Sequence, residues 1–297
     1  MASQIVVVAD AARGFARLSA NAVAHGGHTV YAAMRETAGC NASQARDVAD
    51  YAREEGVDLR TIDLDVGSQA SVDQAIAAII IEHGRIDVLV HNADRTAFGP
   101  AEAFTPEQFA ELYDAVVLSA QRLNRAVLPH MRRRGRGCLV WISSSSSAGG
   151  APPYLSPGFA AKAALDALAA QYARELSRWG IETSIVVPGA FDFAATDAPA
   201  DQSRAAEYAT GPTADLTERI RAAFTRIVPR DADPGVVAGA ITGLVDTPFG
   251  ERPLRLHVDP SDDGASVAFA VIDRVRVEML QRVGLADLLT PRSPRHR

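Results

Sequence analysis

The stretch I-V-V-V-A-D-A-A-R-G-F-A at residues 5–16 decides the fold. Its leading run, Gln4–Ala9, is apolar and β-branched. It lacks the polar alternation of a strand with one wet face, so it reads as a strand buried on both sides. A turn of small residues follows, and helical patterning takes over from Gly14 to His25. Strand, tight turn and helix in this order open a parallel α/β unit.

The same alternation continues along the chain. Strands are expected at His28–Ala33, Leu59–Asp63, Ile86–His91, Gly137–Ser143 and Ile181–Val187. Helices are expected at Ala42–Glu55, Ser71–His83, Pro106–Arg134 (broken near Glu111) and Gly158–Arg178. In the last of these, Ala161, Leu165, Leu168, Tyr172 and Leu176 recur at helical spacing on one face. Continuous apolar strands alternating with helices predict a doubly wound α/β domain, with a mainly parallel sheet of about seven strands covered on both faces. After Pro188 the rhythm stops. Residues 190–228 are rich in Ala, Asp and Thr with Pro199 and Pro212, and read as a lid insertion over the C-terminal edge of the sheet. A helix at Pro234–Asp246, a strand at Leu254–Val258, a closing helix at Ala268–Val283 and a flexible tail at 290–297 complete one domain spanning 1–297.

Composition narrows the function classes. The 297 residues are 47% hydrophobic and 22% charged, with a net charge of −6. An acidic chain has no general electrostatic attraction for nucleic acid or an anionic membrane. The arginine runs at Arg132–Arg136 and Arg292–Arg297 read as a helix C-terminus and a frayed tail. Cys40 and Cys138 read as free thiols, and no Cys/His spacing points to a metal. No signal peptide or membrane-length apolar run is visible, so a cytoplasmic protein is expected.

Six anchors in register give the chain a resemblance to the short-chain dehydrogenase/reductase family over about residues 4–260. Residues 5–16 stand where that family has its first strand and T-G-x-x-x-G-x-G turn. Asp63-Leu64-Asp65-Val66 matches the D-V after the third strand. His91-Asn92-Ala93-Asp94 matches N-N-A-G. Trp141–Ser147 matches the fifth strand with its catalytic Ser, Gly158–Lys162 matches Y-x-x-x-K, and Pro188-Gly189 matches the P-G after the sixth strand. The resemblance implies a Rossmann-like fold. It also implies cofactor contacts at Gly14, Arg35, Asp65, Asn92, Pro188 and Gly189, with Arg35 placed to read the 2′-phosphate of NADP. The family's dimer interface would fall on Ala110–Arg134 and Gly158–Arg178, implying a homodimer or homotetramer, or a heterodimer with an active homologue.

Departures cluster at the redox end. Asp10 replaces the first glycine of the turn and Ala16 the last. Two like charges about 4 Å apart repel by roughly 4 kcal/mol at an effective dielectric near 20, so Asp10 facing a pyrophosphate would cost about three decades of affinity. Asp10 capping the helix instead is the open alternative. Asp94 replaces the glycine of N-N-A-G, and Val116 stands where the family holds a catalytic water with Asn. Phe193 stands near a usual hydroxyl and follows Asp192, and Gly158 stands where the family has its catalytic Tyr. Lys162 remains. Ser144 and Ser145 both fit the site serine, Ser144 by the I-S-S pattern and Ser145 by its spacing to position 158. Tyr154 is a replacement phenol only if the loop at Pro152–Pro157 folds it inward. His91 is a candidate acid–base group, or else a packing residue. The candidate catalytic set is therefore Ser145, Ser144, Lys162, His91, Asp94, Asp192 and Tyr154. The reading placed first is a non-redox tailoring enzyme that cyclises, dehydrates or isomerises a small secondary-metabolite-like substrate. A weak NADP-dependent oxidoreductase and a non-catalytic partner of an active homologue stand behind it. NADP is expected to bind weakly or not at all.

Overall fold

The computed structural model describes residues 2–92, 95–150, 152–191 and 197–292. Seven strands form one parallel sheet: β1 (Ile5–Val8), β2 (Thr29–Met34), β3 (Leu59–Asp63), β4 (Val88–His91), β5 (Gly137–Ile142), β6 (Ile181–Pro188) and β7 (Arg255–Val258). Their order is β3-β2-β1-β4-β5-β6-β7, and every pairing is parallel. The order reverses between β1 and β4, where a doubly wound sheet opens a crevice at its C-terminal edge.

The unbroken apolar character of β1 has a direct cause. Ile5 and Val7 enter one core, with Ile76, Leu123 and Leu165 from the helices α3 (Gln69–His83), α5 (Ser119–Arg134) and α6 (Ser156–Ser177). Val6 and Val8 enter the other, with Val23, Val48 and Ile241 from α1 (Gly14–His25), α2 (Ala42–Glu55) and α9 (Gly235–Asp246). Successive side chains alternate faces, and both faces are covered.

Three sequence expectations change in detail. The long helix before β5 is not broken near Glu111. It runs as α4 (Pro106–Tyr113), a π-helical turn over Asp114–Leu118, and then α5. Arg122 holds that turn by pairing with Asp114 at 2.7 Å and donating to the Val66 carbonyl at 3.2 Å. The lid is not irregular throughout, for it carries α7 (Gln202–Glu207) and α8 (Leu216–Ile227). The closing helix α10 (Ala265–Arg282) begins earlier than expected, directly after Gly264 in the left-handed conformation. At the expected tail, the Arg292 N–H still bonds the Ser177 carbonyl at 2.8 Å, and residues 293–297 lie outside the described residues. Cys40 is exposed, whereas Cys138 is buried and its thiol is pushed up to about 12. Among the described residues no helix is long and apolar enough to cross a membrane.

The sheet's far end rests on a buried ion pair. Glu182 on β6 contacts the Arg252 guanidinium and accepts from the Gly250 N–H at 2.9 Å, while Arg252 Nε donates to the Leu244 carbonyl at 2.7 Å. The two side chains are only 3% and 6% exposed. Removing one partner leaves an uncompensated buried charge, which costs about 3–5 kcal/mol. Glu182→Gln is therefore expected to lower unfolding free energy by that order in urea titrations, and the double replacement Glu182→Met/Arg252→Met by distinctly less. Equal losses for the single and the double variant would contradict the assignment.

Candidate active site

The C-terminal ends of β4, β5 and β6, with Phe15 of α1 and residues of the 190–228 segment, line a cavity of about 720 Å³. Its floor is built by the turn after β5. Ser144 precedes a 3₁₀ turn, Ser145–Ser147, and its Oγ accepts from the Ser146 N–H at 3.2 Å and the Ser146 hydroxyl at 2.8 Å. Ser145 is buried, and both serines line the cavity. Ser143 also lines the cavity, and its hydroxyl donates to Asp166 at 3.0 Å. Lys162 lies on α6 one helical turn after Gly158; both face the cavity, and Lys162 Nζ donates to the Ile142 carbonyl at 3.0 Å. α6 starts at Ser156 with Pro157 in its first turn, where a missing N–H costs nothing. A Cβ added at Gly158 would meet ordinary contacts, the nearest being the Arg95 carbonyl at 3.5 Å. The backbone therefore does not demand glycine there.

The expected cofactor contacts divide. Gly14 has φ +60, which favours glycine, and begins α1 after the N-cap Arg13. Asp10 is thus not the cap of that helix; it is exposed, with φ +50. Asn92, Pro188 and Gly189 line the cavity, and among the described residues the buried Asn92 Nδ2 has no hydrogen-bond partner. At Gly189 a Cβ would lie 1.7 Å from Asp259 Oδ1, so glycine is required by close approach. Arg35 sits exposed in the turn after β2, where its carbonyl accepts from Asn41 at 2.7 Å, and it has no carboxylate partner among the described residues. Asp65 Oδ1 accepts from the Gly67 N–H at 2.9 Å, so one of its oxygens shapes the turn before α3.

Two acid–base candidates are not brought to the cavity. His91 is fully buried, tilted against Trp141 at 4.2 Å, and its Nε2 donates to Asn124 Oδ1 at 2.9 Å. Burial pulls its pKa down to about 4, with the Asn124 bond opposing. Tyr154 is buried with φ +75, and its ring packs edge-on to Phe98 and Tyr208 at 6.0 and 6.4 Å. Its hydroxyl finds no partner and does not line the cavity. Asp94, Asp192 and Phe193 lie outside the described residues. Val116 is buried in the π turn. Sequence reasoning missed Phe15 and Phe191, which meet edge-to-face at 5.3 Å on the cavity wall, and Arg95, which pairs with Asp197 at 2.6 Å and ties the lid to the loop after β4.

The short chain dehydrogenase family matches residues 4–205. The chain belongs to that family. A 3-ketodihydrosphingosine reductase from Bacteroides thetaiotaomicron is 30% identical over 197 residues, covering 66% of this chain and 67% of that one. A monensin polyketide synthase putative ketoacyl reductase from Streptomyces virginiae is 30% identical over 243 residues, 80% of this chain and 88% of that one. The crystal structure of a short-chain dehydrogenase from Streptomyces avermitilis superposes with a TM-score of 0.73 at 28% identity, covering 95% and 98% of the two chains. Other solved chains of this fold, below 25% identity, are complexes with NADP or NADPH. The reductase names overturn the expectation of a non-redox cyclising, dehydrating or isomerising enzyme. That expectation took the departures clustered at the redox end, the missing Tyr at Gly158 foremost, as a change of reaction class. A positioned acid is worth about 10²–10⁴-fold in rate, and its loss slows a reaction without changing its type.

His91 makes stability depend on pH. The folded state holds it neutral, whereas the unfolded chain titrates near 6.5. Its contribution is complete above that pH and declines as pH falls toward 4. Urea midpoints measured between pH 7.5 and 4.5 should fall for the parent, and fall less steeply for His91→Asn. Identical slopes would show that His91 is not the group responsible.

Proposed function

We propose that the chain is an NADP(H)-dependent oxidoreductase acting slowly on a small carbonyl compound or the corresponding alcohol. One observation carries the reading: a single cavity holds Ser145, Lys162 and the unpartnered Asn92 amide beside the Pro188–Gly189 corner. A buried amide donor without a partner is costly unless a ligand completes it, and this one fits the ribose-and-nicotinamide end of a dinucleotide. Arg35 suits a 2′-phosphate. Asp10 and Asp94 stand at positions where the family has glycine, and the added negative charge is expected to make the affinity weak. When bound, the dinucleotide supplies or accepts the hydride.

This chain's own residues then have distinct tasks. Ser145 Oγ–H donates to the substrate oxygen, its spacing to position 158 favouring it over Ser144, whose Oγ accepts two bonds from Ser146. The Lys162 ammonium, fixed on the Ile142 carbonyl, stabilises negative charge growing on that oxygen. Among the described residues no tyrosine lines the cavity, so the proton comes from water. The long helices α5 and α6 support assembly as a homodimer or homotetramer; between them Arg132 lies 5.6 Å over the half-exposed Trp179 ring.

Titration with NADPH, read by nicotinamide fluorescence, is expected to give saturable binding at micromolar or weaker affinity. Parent protein should turn over a ketone panel slowly. Gly158→Tyr is expected to raise kcat by about ten- to hundredfold, less than a fully placed acid gives, because Val116 supplies no amide to order a relay water. Absence of NADPH binding in the parent overturns the reading, and submicromolar binding overturns the charge argument.

A further inference from the structure

The arginines around the lid are mostly spoken for. Arg95 pairs with Asp197 at 2.6 Å, Arg204 with Asp201 at 3.1 Å, and Arg219 with Asp215 at 3.6 Å. Arg221 on α8 is different. It lines the cavity and is solvent-exposed, which places it at the open side, and it has no carboxylate partner among the described residues. Its guanidinium is nonetheless held, 5.3 Å over the Phe98 ring. Phe98 in turn stands edge-on to Tyr154, and Tyr154 to Tyr208, whose hydroxyl donates to Glu102 at 2.8 Å. A guanidinium stacked on a ring keeps its in-plane N–H donors for a carboxylate or phosphate.

The rest of the cavity says what lies between. Phe224 and Ile227 of α8 and Phe159 of α6 give it an apolar wall. Ser145 and Lys162 add polar groups to the same lining. We infer that the substrate carries an anion, carboxylate or phosphate, which Arg221 holds at the end of an aromatic or aliphatic body remote from the reacting carbon. The inference rests on the cavity being the substrate site, as proposed above. The cofactor's phosphates are expected at Gly14 and Arg35, neither of which lines this cavity, whereas Arg221 does, so the anion belongs to the substrate.

Calorimetric titrations with 4-phenylbutanoate, 4-phenylbutyl phosphate and the neutral 4-phenylbutanamide, with and without NADP⁺, test this without requiring turnover. At least one acid is expected to bind the parent about tenfold or more tighter than the amide, and the stronger of the two identifies the anion. Arg221→Gln should abolish that advantage. Arg226→Gln, on the same helix but off the cavity, should keep it. Equal binding of acids and amide, an advantage that survives Arg221→Gln, or its equal loss in Arg226→Gln overturns the inference, as does failure of all three to bind. A loss of NADPH affinity in Arg221→Gln matching the loss for acids assigns the anion to the cofactor and overturns it too. Failure of the parent to bind NADPH sinks the oxidoreductase reading instead, and the cofactor-free titrations still judge Arg221.

Discussion

Asp166 is a carboxylate removed from water directly beneath the serine turn, with its side chain 4% exposed. An unpaired charge in such a place costs several kcal/mol, so its partners are obligatory. Ser143 donates to it at 3.0 Å, and Arg255 at 2.6 and 3.2 Å. Arg255 also pairs with Asp273 at 2.7 Å and lies 3.8 Å over the Phe269 ring. The end of β5, the middle of α6, the start of β7 and the body of α10 must therefore meet in one arrangement. Ser143 is the residue before Ser144 and two before Ser145, so that arrangement also fixes where the site hydroxyls stand. The same C-terminal segment supports the corner after β6, through the close approach of Asp259 to Gly189 and the bond from the Ala190 N–H to Ser261 Oγ at 3.2 Å. The family match ends at residue 205, yet the geometry of the site is set by residues up to Asp273.

The sheet was legible because a parallel strand covered on both faces is mostly apolar: β1 and β5 carry no charged residue, β4 departs only at His91, and β6 keeps Ile185–Val187 beyond its polar Glu182, Thr183 and Ser184. The π turn at Asp114–Leu118 was not, because its composition is that of the helices on either side; Arg122 reaching Asp114 is a tertiary signal. In the lid, Ile220, Phe224 and Ile227 do recur at helical spacing, but Pro199, Pro212 and the surrounding Ala, Asp and Thr hid α8. The family resemblance pointed to Lys162, Ser144, Ser145, Asn92, Pro188 and Gly189, which line the cavity. For His91 the packing alternative holds, for a reason the sequence contained. Side chains alternate along a strand, so His91 shares the face of Leu89 and points into the core with Trp141. Asn92, beyond the strand's end, reaches the cavity. Tyr154 was beyond sequence reasoning, since its left-handed backbone sends the ring toward Phe98 and Tyr208.

Position 158 separates two requirements that a single tyrosine would join. Charge on the substrate oxygen must be stabilised, and a proton must reach it. Under the proposed reading Ser145 and Lys162 would meet the first. Lys162 is held through the Ile142 carbonyl and Ser145 follows the anchored turn, so little reorganisation would accompany reaction. The second requirement would fall to solvent, which is a poorer and unpositioned acid.

That division puts opposing demands on the lid. Excluding water strengthens the field of Lys162 and the hydrogen bond of Ser145, because both act across a lower dielectric. A sealed cavity, however, would lose its proton source. The lid is secured on one side, where Arg95 grips Asp197 and Gln108 bonds Ala198 and Ala200, while the side carrying Arg221 remains exposed to solvent. Under the proposed reading, a segment held at Asp197, Ala198 and Ala200 and exposed at Arg221 would bind an apolar body closely and still admit water to the reacting oxygen. The same exposure would leave a charged group on the substrate partly hydrated at Arg221, which would avoid the full desolvation cost of burying an anion.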